Sequence, residues 1–427
     1  MALTDKWLFV LSRYSRRMWF RAALYGALGI LTALLGAAAR SLIPPGLAGS
    51  IGAGSVGNIL GILATSMLAV TTFSLATMVS AYGTASTTAT PRAAQLLIED
   101  TTAQSALATF IGAFLYSIVG LIALSAGAYG DSGRVLLLVV TIAVIVLITV
   151  TLLRWIEQLS RFGRVAETIN LVESATRKAM QHRAREPWLG GAPFRSPPAT
   201  AMPVAADAVG YVEYIDVEHL GRLSIEHDFD LHLNVLPGTF AAPGRPLAHV
   251  AGEGLDASAL EGIREAFVIG DARTYEHDPR YGLVVLTEVA VRALSPGIND
   301  PGTAIDVIGT VVRLFTGWAR GRESKQDEVA IAHPRIFVPA LREADMFDDV
   351  FPSIARDGAA LREVGIRLQK AFAALDDLDC VNFEDPLRRH AREALSRAMD
   401  ALPFEPDRAA VAGAARPKLV DTGPDEA

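Results

Sequence analysis

The run ILGILATSMLAVTTFSLATMVSAY at residues 59–82 decides how this chain is built. Tyrosine 82 is its sole ionisable side chain. A helix rises about 1.5 Å per residue, so roughly 20 apolar residues cross the ~30 Å hydrocarbon layer of a bilayer. A charge at that depth costs roughly 2.5 kcal/mol or more. The run therefore reads as a membrane helix. Residues 22–43, 106–129 and 135–153 share its character, and the first is interrupted by Arg40 near its end, where a long side chain reaches the interface. Four transmembrane helices are expected within residues 22–158.

Basic residues followed by an apolar stretch and Ala37-Ala38-Ala39 also fit a cleaved signal peptide. The long leading region with Trp7, Trp19 and Phe20, and the three spans that follow, favour a retained helix. Lys6, Arg13, Arg16, Arg17 and Arg21 precede the first span, the loop at 44–58 is uncharged, and Arg154, Arg161, Arg164, Arg177 and Lys178 follow the fourth. Positive flanks stay inside, which puts both termini in the cytoplasm. Trp7, Trp19 and Trp155 are expected as aromatic anchors at the inner interface.

The spans are rich in small and hydroxylated residues: Gly26, Gly29 and Gly36 in the first, and Thr65, Ser66, Thr71, Thr72, Ser74, Thr77 and Ser80 in the second. Close helix packing explains such residues. So does a hydroxyl-lined pore, with Thr65, Thr72 and Ser80 near one helix face as candidate pore-lining residues. No span contains the buried Asp, Glu, His or Lys of a proton relay, which disfavours proton-coupled transport.

Composition changes along the chain. Residues 1–160 hold 9 Lys/Arg and 5 Asp/Glu, net +4, whereas the whole chain is −7, leaving −11 on the remainder. An acidic soluble part lacks the basic face that a nucleic-acid partner requires. Cys380 is the single cysteine, so an intramolecular disulfide and a thiolate metal cage are both excluded. An unpaired thiol fits a reducing compartment.

Residues 161–185 read as an amphipathic helix continuing the fourth span, with Val165, Ile169, Val172 and Ala175 on one side. A Pro/Gly linker follows, giving a segment at 159–206. A small β module is expected at 207–252: Gly210-Tyr211-Val212-Glu213-Tyr214-Ile215 and Asp230-Leu231-His232-Leu233-Asn234-Val235 alternate, and Pro237-Gly238 and Pro243-Gly244 turn the chain. The order is similar to barrel-sandwich modules such as biotinyl and lipoyl domains. No lysine lies between Lys178 and Lys325, so a swinging-arm role is ruled out. Residues 253–403 read as a helical cytoplasmic domain with helices at 281–294, 303–315, 327–345, 350–376 and 386–401, followed by a disordered tail at 404–427. His333, Arg335 and Arg342 read as surface residues. The fold class is an α-helical membrane protein with four transmembrane helices plus a cytoplasmic α+β region.

Two Asp-Pro pairs stand out. Asp278-Pro279 and Asp300-Pro301 each place a capping carboxylate before a proline at the first helical position. Arg273, Glu276, His277, Asp278, Asn299 and Asp300 form a candidate ligand-binding polar site, against the plainer reading of two well-capped helices. Glu288 and Arg292 can pair at i, i+4. No metal motif, phosphate-binding loop or nucleophile elbow is present, and no cofactor is implied.

Three features together resemble the bacterial family of predicted membrane proteins called domain of unknown function 2254. They are Phe73-Ser74-Leu75 leading to Thr90-Pro91-Arg92 and Asp100; the Gly210-Tyr211-Val212 to Pro237-Gly238 segment; and Arg273, Asp278-Pro279 and Ala293-Leu294-Ser295-Pro296-Gly297-Ile298-Asn299-Asp300-Pro301 with Thr303-Ala304. The resemblance reaches to about Ala401 and implies four spans and a cytoplasmic region without specifying an activity. Gly302 departs from it, standing where a larger residue is expected and loosening the next helix start. The functional expectation is a homo-oligomeric channel or channel-like permeation unit with a cytoplasmic regulatory domain, its partners being the bilayer, further copies and a small ion or ligand. The alternative is a membrane-anchored sensor or scaffold whose soluble part binds a ligand or protein. A membrane-bound enzyme using His277, Asp278 and Asp300 is a third reading.

Overall fold

The computed structural model describes residues 18–38, 53–98, 100–253, 255–323 and 330–421. The chain divides into two compact units, with boundaries at 87/88, 93/94 and 167/168. The apolar unit holds α1 (Met18–Ala38), α2 (Ala53–Thr88), most of the short α3 (Pro91–Ile98), α4 (Thr101–Ser125) and α5 (Gly130–Arg161). Three stretches are long and apolar enough to cross a membrane: Ser55–Thr88, Thr101–Ser125 and Gly133–Arg161. They contain the expected second and fourth spans and most of the third, whose last residues pass α4 into a turn with Gly127 at φ 73°. The apolar stretch of the first helix is shorter, Ala22–Leu35, and residues 39–43 of that expected span lie outside the described residues.

Small residues set the packing of α1 on α4. A Cβ on Gly29 would collide with the carbonyl of Gly112, and one on Gly112 would stand 2.8 Å from the Tyr25 oxygen. The backbones therefore touch directly, as glycine permits. Leu24, Leu28, Leu31 and Leu35 point away from this seam and are exposed. The Tyr129 hydroxyl donates to the Ala33 carbonyl at 2.7 Å, and Tyr116 meets Thr141 at 3.0 Å. Trp155 is buried in the bundle beside Met78, Phe110 and Ile148.

At the foot of α5, Gly163 adopts φ 78°, so α6 (Val165–Arg185) is a separate helix and does not continue the fourth span. Its buried face runs through Thr168, Ile169, Val172, Thr176, Ala179, Met180 and Arg183. The soluble unit then builds β1 (Gly191–Pro193), β2 (Met202–Ala205), β3 (Gly210–Ile215), α7 (Val217–Glu226), β4 (Asp230–Leu233), β5 (Phe240–Ala241), β6 (Pro246–Ala251), α8 (Ala257–Glu265) and β7 (Phe267–Gly270). It continues with α9 (Pro279–Leu294), α10 (Pro301–Glu323), β8 (His333–Val338), α11 (Glu343–Asp357), α12 (Arg362–Asp376), a 3-10 turn (Val381–Phe383), α13 (Glu384–Ala401), α14 (Glu405–Ala414) and α15 (Pro417–Val420).

The four strands expected at 207–252 form, but they do not close into a barrel-sandwich of their own. They divide between a five-stranded sheet, order β1-β8-β4-β6-β2, and a three-stranded sheet, β5-β3-β7. Strands from outside the segment complete both sheets, and Val204, Val212, Leu231, Leu247, Phe267 and Ile336 share one core. Within the segment, α7 interrupts the strands, capped by Asp216 accepting from the His219 amide at 2.9 Å.

Of the helix expected at 327–345, residues 327–329 lie outside the described residues, 333–338 form β8, and only 343–345 are helical, as the first residues of α11. Ile336, Phe337 and Val338 form a buried strand parallel to β1 and β4, since β-branched and aromatic residues fit a two-sided sheet better than a helix surface. His333 is accordingly half-buried against α7, where Gly221 leaves space for its ring. Arg335, also half-buried, bonds Asp228 and Asp230 at 2.6 and 2.8 Å, while Arg342 is exposed. The expected 350–376 helix is broken at Gly358 into α11 and α12, and 386–401 falls within α13. The expected disordered tail is instead helical as far as Val420. Val411 and Leu419 are buried, and Arg416 and Lys418 bond Asp376 at 2.6 and 2.8 Å.

The helical core centres on an aromatic cluster. Phe351, fully buried, lies 4.8 Å from Phe372, 5.3 Å from Phe347 and 6.2 Å from Phe315, ring centre to ring centre. Phe351→Ala should cost about 3–5 kcal/mol. The melting point of the detergent-purified full chain should fall by roughly 6–20 °C, read by circular dichroism.

Candidate functional site

Asp278 is the point at which the soluble motifs converge. It is 3% exposed and caps α9, accepting the Tyr281 amide at 3.2 Å through Oδ1. Its Oδ2 accepts from Arg273 Nε at 2.6 Å. The Pro237-Gly238 turn lies against the same carboxylate: Gly238 has φ 94°, and any Cβ there would overlap Oδ2. Only glycine satisfies both demands. Arg273 also lies over the Tyr281 ring at 5.3 Å. The segment Gly210–Val212 is tied in through Gly238, whose amide donates to the Val212 carbonyl at 2.8 Å.

The neighbouring His277 sits among rings, 5.0 Å from Tyr214 and 6.2 Å from His182. Its carbonyl accepts from Arg183 Nη2 at 3.3 Å. Burial, reinforced by the nearby charges of His182 and Arg183, lowers its pKa to about 4, so it is neutral at pH 7. Glu276 is half-buried in the same turn.

Asn299 and Asp300 lie beyond the other end of α9. Its 16 residues set the two groups roughly 24 Å apart. Asn299 has φ 50°, and its amide donates to Ser295 O at 2.8 Å. Asp300 accepts the Thr303 amide at 3.1 Å and its hydroxyl at 2.6 Å, which holds its carboxyl below the ordinary range. With Asp300 bonding Thr303, the helix starts at Pro301 although Gly302 follows. The six polar residues thus form two groups, Arg273 with Glu276, His277 and Asp278, and Asn299 with Asp300. A reaction needing His277, Asp278 and Asp300 in one cleft is excluded by that separation. Among the described residues, no group of three His, Cys, Asp or Glu is placed to hold a metal ion.

Glu288, on the middle of α9, does not pair with Arg292. It accepts from Thr90 Oγ1 at 2.9 Å and forms an ion pair with Arg92. The Tyr275 hydroxyl donates to the Arg92 carbonyl at 3.0 Å. Thr90-Pro91-Arg92 is thereby held to the soluble unit by both side chain and backbone. The sequence contains each partner, but a separation of nearly 200 residues hides the match. Asp100, in the apolar unit, caps α4 through the Thr102 amide at 2.8 Å and accepts from Gln158 at 2.6 Å.

Thr65, Thr72 and Ser80 are all exposed on α2. The hydroxyls of Thr65 and Thr72 donate to the carbonyls one turn back, Gly61 at 3.1 Å and Leu68 at 2.9 Å. The opposite side carries Leu60, Ala64, Met67, Ser74, Met78 and Ala85, buried at alternating three- and four-residue steps or their multiples.

A family described as predicted membrane protein, DUF2254, matches residues 15–374. Uncharacterized proteins of Mycobacterium bovis and Mycobacterium tuberculosis (strain H37Rv) are each 34% identical over 119 residues, 26% of this chain and 23% of theirs. The chain therefore spans about a quarter of the length of these relatives. No solved structure matches.

His277 gives the soluble unit an acid sensitivity of definite sign. Its folded pKa lies below the ordinary 6.5, so its contribution is present above pH 6.5 and lost as pH falls towards 4. The loss amounts to about 3 kcal/mol at most across that window. Melting curves between pH 7 and 4.5 should fall more steeply for the native chain than for His277→Gln.

Proposed function

The chain belongs to the DUF2254 family of predicted membrane proteins, and on that premise we propose that it is a homo-oligomeric, channel-like permeation unit of the bacterial inner membrane. It crosses four times with both termini cytoplasmic, and its soluble unit regulates it. The observation that carries this reading is the exposed face of α2. Thr65, Thr72 and Ser80 lie there on a helix with no Asp, Glu, Lys, Arg or His. Back-bonded threonines still present oxygen lone pairs, which suits a path for a weakly held ion. In an assembly of several copies this face lines the axis.

Two observations support the topology. The glycine-lined contact between α1 and α4 gives the first helix the packing of a bundle member, and its 21 residues extend roughly 31 Å. The bonds of Thr90 and Arg92 to Glu288 support a common side for residues 88–93 and the soluble unit. With that side fixed, α4 and α5 are one outward and one inward crossing. The basic residues around the first span and after the fourth make it the cytoplasmic side.

In liposomes the purified chain should pass ions. With Cys380 replaced by Ser, cysteines at 65, 72 and 80 should react with a water-soluble thiol reagent and block flux, whereas those at 68 and 75 should not. A monomer that conducts nothing would defeat the reading. A membrane-anchored sensor or scaffold is the second reading, favoured by the clip at Thr90-Pro91-Arg92, because the chain passes from α2 straight into a segment held by α9. Glu288→Ala should speed amide exchange in residues 88–93 by about tenfold, the equivalent of one charge-assisted hydrogen bond. If it also leaves flux unchanged, the clip does not regulate permeation.

A further inference from the structure

Arg183 plays no part in the permeation reading. It is 2% exposed. Nη2 donates to the His277 carbonyl, while Nη1, also buried, meets no acceptor. The nearest carboxylates do not complete it. Asp278 is bonded to Arg273 and to the Tyr281 amide, and Glu186 is exposed to solvent. Burial lowers the guanidinium pKa to about 10, against the pull of Asp278 and Glu186, so the group remains a cation at neutral pH. A guanidinium has five donors and no acceptor, and a buried charge lacking a full set of partners is strongly unfavourable.

The surroundings add donors. Thr274 Oγ1 is a second buried atom without a partner, three residues before His277 in the same loop. The carbonyl that Arg183 holds belongs to the residue just before the Asp278 cap, at the positive end of the 16-residue helix α9. A buried cation with an unmet donor, beside a loop that holds a second unmet hydroxyl, calls for an anion. His182 on the last turn of α6 and Glu186 just after it are exposed.

We propose that Arg183, with Thr274, binds a small free oxyanion of the phosphate class. The planar fork of Arg183 offers Nη1 to one oxygen, with Thr274 donating to another. Asp278 does not oppose this, because Arg273 already neutralises it. The site lies within the soluble unit and does not depend on permeation.

The test uses the full chain in detergent, titrated with sodium phosphate against sodium chloride at matched ionic strength. The melting point should rise with the logarithm of phosphate concentration, as mass action requires. Amide exchange should slow at residues 273–281. Arg183→Met should raise the half-saturating phosphate concentration at least tenfold, and Arg183→Lys, which keeps the charge and loses the fork, by less. Should Arg183→Met fail to fold, Arg183→Lys and the exchange pattern of the native chain decide. Equal responses to phosphate and chloride, protection elsewhere than 273–281, or unchanged half-saturation in Arg183→Lys would each overturn the assignment. Stabilisation by phosphatidic acid in mixed micelles with none from free phosphate would also overturn it, moving the source to a lipid headgroup.

Discussion

Hydrocarbon offers no hydrogen bonds, and the architecture of this chain follows from that single fact. Over residues 59–82, 106–125 and 135–153 the three long helices hold no Asp, Glu, Lys or Arg, leaving tyrosines and hydroxyls to be satisfied internally. The threonines of α2 do so by bonding their own helix, Thr71 to Met67 at 2.6 Å and Thr77 to Phe73 at 2.9 Å. The tyrosines reach neighbouring helices, as Tyr129 does to Ala33. In the soluble unit arginine carries most of the ion pairing. Arg280 spans from α9 to Asp349 and Asp345 on α11, and Arg313 joins α10 to Glu173 on α6.

The apolar unit was legible because its rule is local. A run such as residues 59–82 states its environment without reference to anything distant. The soluble unit was less so, for a physical reason. The stretch His333–Val338 becomes a strand only because β1 and β4, more than 100 residues earlier, offer free edges. In isolation its flanks read equally well as helix. The tail hides its helices in the same way, because its low hydrophobicity masks two residues, Val411 and Leu419, that are buried when the short helices dock.

The polar motifs were visible, but their grouping was not. Asp278 and Asp300 share a local device, a carboxylate before proline, and this similarity made one site of two helix starts. What separates them is α9 itself. Arg183 carried no local signal, since a cationic residue near the end of an amphipathic helix is ordinarily solvated. Glu288 was visible but assigned to Arg292, the neighbour that helical spacing offers, and not to Arg92. Family-like motifs and structural contacts meet around Asp278, where Gly238, Arg273 and the α9 cap occupy one small volume.

The glycine contact between α1 and α4 bears on biogenesis. Gly29 and Gly112 stand 83 positions apart in the chain, and a ribosome adds about 5–20 residues each second. Gly112 is therefore made roughly 4–17 s after Gly29. During that interval the grooved flank of α1 lacks its partner, and bulky substitutions at Gly29 would harm assembly of the nascent bundle before they could affect any finished protein.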